Sequence, residues 1–162
     1  MSRSEIHQVE IVPARLEHVA PIAENMRRED VEEVLAATGR DPLSALQGSF
    51  DASVLCWTGT VDGAPACMFG VAPIDILGGV GAPWLLGTDL VPANTAPFLR
   101  RNKAYVARML ALFPCLFNYV DARNRQSIRW LKWLGFDFDA APVPYGIEKL
   151  PFFRFTMRRA NV

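Results

Sequence analysis

The sequence has little of what usually assigns a protein quickly. It carries no charge of excess sign, with 17 basic and 17 acidic side chains over 162 residues. That balance leaves no electrostatic footprint for nucleic acid or an anionic membrane, so neither is an expected partner. Histidine is scarce. His7 and His18 have no cysteine or carboxylate cluster around them, and no metal site is expected. Cysteine is sparse and odd in number. Cys56, Cys67 and Cys115 match no disulfide framework and sit among apolar neighbours, as small core residues in a reducing cytoplasm do. No apolar run is long enough and clean enough for a membrane helix. The longest, Val71 to Val91, is broken by Pro73, Gly78, Gly79, Gly81 and Pro83 and charged by Asp75 and Asp89. It predicts two strands around a glycine-rich turn. The polar start, Met1 to Glu10, does not resemble a secretory signal.

What is present is an apolar fraction of 51% and a regular alternation of strand and helix patterns. Repeats, low-complexity tracts and linkers are absent, and the length predicts one domain over residues 1–162. Val9 to Pro13 predicts a first strand. Arg15 to Met26 has helical spacing with Leu16, Val19, Ala20 and Ala23 on one face. A second helix, Arg28 to Thr38, turns Val31, Val34 and Leu35 inward and stops at Gly39. Asp41-Pro42 opens a third that runs toward Ala52.

Val54 to Val61 and Ala64 to Val71 predict a hairpin around Asp62-Gly63. Trp84 to Thr88 is apolar enough for a central strand. Thr95 to Phe113 is an amphipathic helix with Phe98, Tyr105, Val106, Met109, Leu110 and Phe113 inward. A strand from Leu116 to Asp121, a helix from Arg125 to Leu134, a strand opening at Phe136 and a last strand, Phe152 to Arg158, complete the chain. The fold class is α/β: a mixed sheet of about seven strands with an antiparallel N-terminal half, flanked by helices. Late strands joined through helices predict parallel neighbours there.

The segment Asn124-Arg-Gln-Ser-Ile-Arg-Trp-Leu-Lys-Trp-Leu-Gly-Phe136 stands out. Asn124 caps a helix, Ser127 permits close packing and Gly135 allows a left-handed exit. The segment and the element order resemble the GNAT (general N-acetyltransferase) fold over nearly the whole chain. Met68-Phe-Gly-Val, Pro83-Trp-Leu-Leu-Gly-Thr-Asp89 and Asn118-Tyr-Val-Asp-Ala-Arg-Asn124 further resemble a phage and prophage family related to an internal virion protein of short-tailed coliphages. The resemblance implies an N-acetyltransferase that uses acetyl-CoA, a small amine or protein acceptor, phage structural proteins as partners, and a bacterial cytoplasm or a virion as the location.

Two positions depart from the family's pattern. Its enzymes carry a glycine-rich turn after the central strand, whose bare amides hold the cofactor diphosphate. This chain has Thr88-Asp-Leu-Val-Pro-Ala-Asn-Thr-Ala-Pro97, without a glycine and with two prolines that remove amide donors. Many family members also place a proton-donating Tyr seven residues after the Asn, where this chain has Leu131. Tyr119 or Tyr145 would have to replace it.

Two readings follow. One is an acetyltransferase with a degenerate cofactor and catalytic site. Asp89 would be its base, Gly87 and Thr88 would line the donor, Arg100, Arg101 or Lys103 would reach back to the phosphates, and Asn124 would touch the cofactor as the family implies. The sequence does not require acetyl-CoA. The other reading is a non-enzymatic virion or assembly component that keeps the scaffold. Each residue also has a plainer role: an Asx turn for Asp89, helix capping for Asp121 and Asn124, and a solvated helix face for Arg125, Arg129 and Lys132.

Overall fold

The computed structural model describes residues 6–160, so part of the polar N-terminal stretch, Met1 to Glu5, lies outside the described residues. The elements run β1 (Val9–Pro13), a single tight helical turn (Leu16–His18), α1 (Val19–Glu24), α2 (Arg28–Thr38), α3 (Pro42–Ala52), β2 (Leu55–Val61), β3 (Ala64–Asp75), β4 (Val80–Gly87), α4 (Leu90–Ala93), α5 (Thr95–Leu112), β5 (Cys115–Asp121), α6 (Arg125–Leu134), β6 (Asp137–Phe138), β7 (Val143–Tyr145) and β8 (Leu150–Arg158).

Local chemistry explains most boundaries. Asp41 caps α3 by accepting from Ser44 N at 2.8 Å, with Pro42 in the first turn. Asp62 and Gly63 both adopt positive φ, as a tight type I′ turn requires. At the end of α6, Gly135 turns left-handed at φ 103°, and Phe136 N donates to Leu131 O at 3.0 Å. That bond closes the helix and drives the buried Phe136 into the core. The expected helix over Arg15 to Met26 is broken. Pro21 would sit deep inside a helix begun at Arg15, whereas it falls in the first turn of one begun at Val19. Leu16 is consequently left exposed, and Leu35 of α2 is exposed as well.

Among the described residues the sheet has eight strands, not about seven, in the order β1-β2-β3-β4-β5-β8-β6, with β7 also paired to β8. The additional strand is β7, three residues with a proline at their centre, too short to show a two-residue period. Strands β1 to β4 form the antiparallel half. β4 and β5 are parallel, but they pair only at Val80↔Cys115 and Gly81↔Leu116 and then part. Beyond β5 the expected parallel neighbour is replaced by β8, which runs antiparallel to both β5 and β6.

Each face of the sheet carries its own core. Phe69, Phe98, Val106, Met109, Trp130 and Phe136 belong to the core under α5 and α6, joined by Leu85 of β4. Ile22, Met26, Val34, Leu46, Met68 and Leu86 belong to the core under α1 to α3, joined by Trp84. Neighbours on β4 thus serve opposite faces, as the pleat demands. Of the cysteines, only Cys67 is fully buried. Burial pushes both Cys56 and Cys67 up to about 12, which leaves them as inert thiols. Among the described residues no helix is long and apolar enough to cross a membrane, and no group of three potential metal ligands occurs.

Candidate functional site

The site is built where β4 and β5 part, under the N-terminal half of α2. Arg27, Asp30 and Glu33 follow one another at three-residue spacing and so share one helix face. That face is turned toward the sheet. Arg27 and Asp30 are ion-paired at 2.8 Å, with 1% of each side chain exposed. The same Nη2 atom of Arg27 donates to Asn124 Oδ1 at 2.9 Å and to Ser127 Oγ at 2.7 Å. The guanidinium also lies 5.3 Å from the centroid of the Trp130 ring. Asn124 caps α6 by accepting from Ser127 N at 3.5 Å, while its Nδ2 donates to Asp30 Oδ1 and Glu33 Oε2 at 3.2 and 3.1 Å. The network ties α2 to the start of α6.

One cation faces two carboxylates in this cluster. Asp30 takes the direct pair with Arg27 and a bond from Gly87 N at 2.9 Å. Burial still pushes its carboxyl above the ordinary value, against the pull of Arg27. Among the described residues no cation is ion-paired to Glu33. Burial first, then the nearby Asp30, push it up to about 8, although Asn124 and Asp121 N both donate to its Oε2.

Glu33 lines a cavity of about 260 Å³. The lining includes Leu85, Leu99, Asn102 and Leu131 from one face of the sheet, and Val34, Ala37, Trp84 and Leu86 from the other. The cavity therefore passes through the sheet where β4 and β5 separate. Tyr119 of β5 and Tyr145 of β7 also line it, their rings stacked at 4.1 Å between centroids. Asn118 spans the gap, donating to Pro83 O at 3.0 Å.

Comparison with solved structures places the fold. A ribosomal-protein-S5-alanine acetyltransferase from Vibrio fischeri superposes with TM-score 0.68 over 97% of this chain and 98% of that one, at 11% identity. A spermidine N-acetyltransferase from Vibrio cholerae, in complex with CoA and spermine, superposes with TM-score 0.68 over 93% and 95%, at 10% identity. An acetyltransferase of the GNAT family from Streptococcus pneumoniae gives TM-score 0.64 over 94% and 100%, at 12% identity. The chain has the GNAT fold. No protein-family model and no curated protein matches the sequence. These structures carry no link to a phage or virion protein, so that part of the sequence resemblance stands without support.

Within the GNAT fold, the residues singled out from sequence fall in different places. Asn124 is buried at the heart of the site, but every polar atom of its side chain is used by Arg27, Asp30, Glu33 and Ser127. Gly87 closes β4, yet its amide donates to Asp30 and its carbonyl accepts from Arg27 N at 2.8 Å. Thr88 is buried, with N and Oγ1 both bonded to Ala66 O. Asp89 is exposed at the start of α4 and does not line the cavity. Arg100 faces a shallow groove beside β1 with Arg101, away from Gly87. Leu131 lines the cavity where a Tyr hydroxyl is absent.

The fit of a CoA thioester can be tested in two parts. The pantetheine arm fits. Thr88 N points to β3, so by alternation Pro83, Leu85 and Gly87 present their backbone to the gap. Asn118 takes the Pro83 carbonyl and α2 takes Gly87, which leaves Leu85 N–H and C=O to face the cavity. Asn102 Oδ1, buried on the opposite wall, has no hydrogen-bond partner among the described residues. The diphosphate would find few free donors after β4. Leu90 N bonds Thr88 Oγ1, Val91 N bonds Thr88 O, Ala93 N bonds Asp89 O and Asn94 N bonds Val91 O, at 3.0 to 3.4 Å. The amides of Thr95 and Ala96, in the uncapped first turn of α5, are the ones left without a partner among the described residues, and Pro92 and Pro97 have none to give.

Sequence reasoning missed Glu33, Asp30, Arg27 and Asn102. The only signal for the first three was their three-residue spacing on a helix face that also carries Val34. Asn102 was legible as an uncharged polar residue on the inner stripe of α5.

Proposed function

We propose that this protein transfers an acyl group from a pantetheine thioester, such as acetyl-CoA, to a primary amine. The observation that carries the reading is Glu33, a carboxyl tuned to about 8, on the wall of a cavity that crosses the sheet opposite the free edge of β4. A general base works best when its pKa lies near the operating pH. Glu33 Oε2 is held by two donors, which orients the carboxylate for a proton arriving from the cavity.

The donor supplies a thioester whose carbonyl carbon is the electrophile. Leu85 N–H would donate to the thioester oxygen and Asn102 Oδ1 would accept from an amide of the arm. Glu33 would accept a proton from the acceptor's ammonium. Tyr119 and Tyr145 offer O–H donors for the departing sulfur; burial raises the Tyr145 phenol further, so it keeps its proton. Two of the similar structures are named for amine acceptors, a spermidine and an alanine of a ribosomal protein. A small-molecule or protein amine is the acceptor class proposed here.

The test is thiol release from acetyl-CoA with a panel of amines and amine-terminal peptides, with mass spectrometry on the acceptor. Wild type should acetylate at least one amine. Glu33→Gln, and the double variant Tyr119→Phe, Tyr145→Phe, should each lose about a hundredfold in rate, the scale of a general acid or base. A folded wild-type protein with no product, or a Glu33→Gln variant of full activity, would refute the assignment.

A further inference from the structure

We propose that the outer edge of β1 takes an extended acidic segment of a partner protein as an additional strand, flanked by the arginines of α5. This surface is separate from the cavity and does not depend on acyl transfer.

The edge supplies the backbone template. β1 ends the sheet, and only alternate residues of it bond to β2. Gln8 O accepts from Asp62 N at 2.8 Å, and Ala14 N donates to Cys56 O at 3.1 Å. In this register the even-numbered residues face β2, while Val9 and Ile11 turn their backbone outward. The N–H and C=O groups of those two residues have no partner among the described residues. Such a row is what a further strand pairs with. Pro13 ends it, because a proline brings no N–H. The side chains of Val9 and Ile11 pack into the core under α5. Between β1 and α5 an open groove remains, lined on the helix side by Arg100, Arg101, Ala104 and Tyr105.

The helix side supplies charge of one sign. Arg100 and Arg101 are exposed and not ion-paired among the described residues; Arg101 Nη1 bonds only Pro97 O, at 3.2 Å. Two turns beyond Arg101, the Arg108 guanidinium lies 5.2 Å from the Tyr105 ring centroid. Lys103 turns the other way, its Nζ 4.2 Å from the Trp133 ring centroid. The 18 residues of α5 include no carboxylate. Glu10 is the one carboxylate of the groove, and by alternation it lies on the opposite face of β1 from Val9, accepting from Gln8 Nε2. A strand laid antiparallel to β1 thus meets guanidiniums on the α5 side and Val12 with Glu10 on the other. It is matched by carboxylates at every second residue and apolar side chains between. A second copy of the chain is a poorer occupant. Pairing two β1 edges about Ile11 brings both α5 helices to one face, and Arg100 and Arg101 of each copy then oppose those of the other.

The probe is a short peptide, capped at both ends, in which glutamate alternates with valine. Fluorescence anisotropy gives its affinity for the wild-type chain, and hydrogen exchange followed by NMR reads the amides of Val9 and Ile11. Binding should saturate and should slow exchange at both amides by about tenfold or more. Arg100→Glu, Arg101→Glu, two substitutions on an exposed helix surface, should weaken it by about tenfold or more. N-methylation of the glutamates of the peptide keeps its charge and removes the amides that bond β1. It should cost about tenfold, the worth of two hydrogen bonds, and it alters no residue of the protein.

No saturable binding at millimolar peptide would overturn the proposal. Equal affinity for the N-methylated peptide, or for one with lysine in place of glutamate, would do the same, as would unprotected amides at Val9 and Ile11 in the complex. A wild-type chain that sediments as a dimer, with those two amides protected before peptide is added, would assign the edge to a second copy and overturn it as well.

Discussion

Asn124 Nδ2 donates to Glu33 Oε2 at 3.1 Å, joining the cap of α6 to the wall of the cavity across 91 residues of sequence. The bond gives one residue two duties. Asn124 starts α6, and it fixes the carboxyl proposed to move the proton. The element that defines the fold and the group that would do the chemistry are therefore held by the same side chain.

The Arg27–Asp30 pair below it should behave as a buried ion pair. Removing one partner strands the other charge, whereas removing both does not. We predict that Arg27→Met destabilises the protein by about 3–5 kcal/mol and that Arg27→Met, Asp30→Asn recovers much of the loss. Urea denaturation of the two variants and of Asp30→Asn closes the cycle. Strictly additive losses would show that the pair is not coupled.

Glu33 also makes stability depend on pH. The folded chain holds its proton up to about 8, against 4.5 ordinarily. Between those values the folded state binds more protons than the unfolded chain, so stability falls as pH rises. The contribution is complete below 4.5 and lost once pH passes about 8. Glu33→Gln cannot titrate. Its stability should decline less than that of wild type across this window and exceed it above the window. Parallel curves for the two proteins by urea denaturation would contradict the assignment.

Gly146 secures Tyr145 over the cavity. At φ 75° it brings the chain against α2, where a Cβ would meet Ala37 Cα at 2.6 Å and Ala36 O at 2.7 Å. The next two amides, of Ile147 and Glu148, then bond the carbonyls of Ala37 and Ala36, both at 3.2 Å. Gly146→Ala should cost about 2 kcal/mol or more, from the left-handed backbone and the collision together. Hydrogen exchange should show Ile147 and Glu148 losing protection first. A variant with unchanged stability would mean that this loop is not fixed by α2.

The parts of the fold that were legible in the sequence are those whose signals are local. Asn124 to Phe136 announced itself because a cap, an apolar stripe and a left-handed glycine lie within one short segment. Asp62-Gly63 marked its hairpin for the same reason. The insertion of β8 between β5 and β6 depends on pairing between distant strands, and β7 on three residues with a proline, so neither leaves a period to read. The site was harder. Charged residues default to the surface, and Arg27 and Asp30 are buried and Glu33 half-buried because Asn124 and Ser127 meet them from the far end of the chain. Asp89 was favoured because it follows the central strand, but the chain turns there into α4 and carries the carboxylate outward.

The most direct test is the pH dependence of kcat/KM for acyl transfer to one amine, measured on wild type and Glu33→Gln with the same acceptor. The account predicts that the wild-type rate rises as Glu33 loses its proton, through about 8, and that the variant keeps only the titration of the amine itself. Identical profiles of equal height would contradict it.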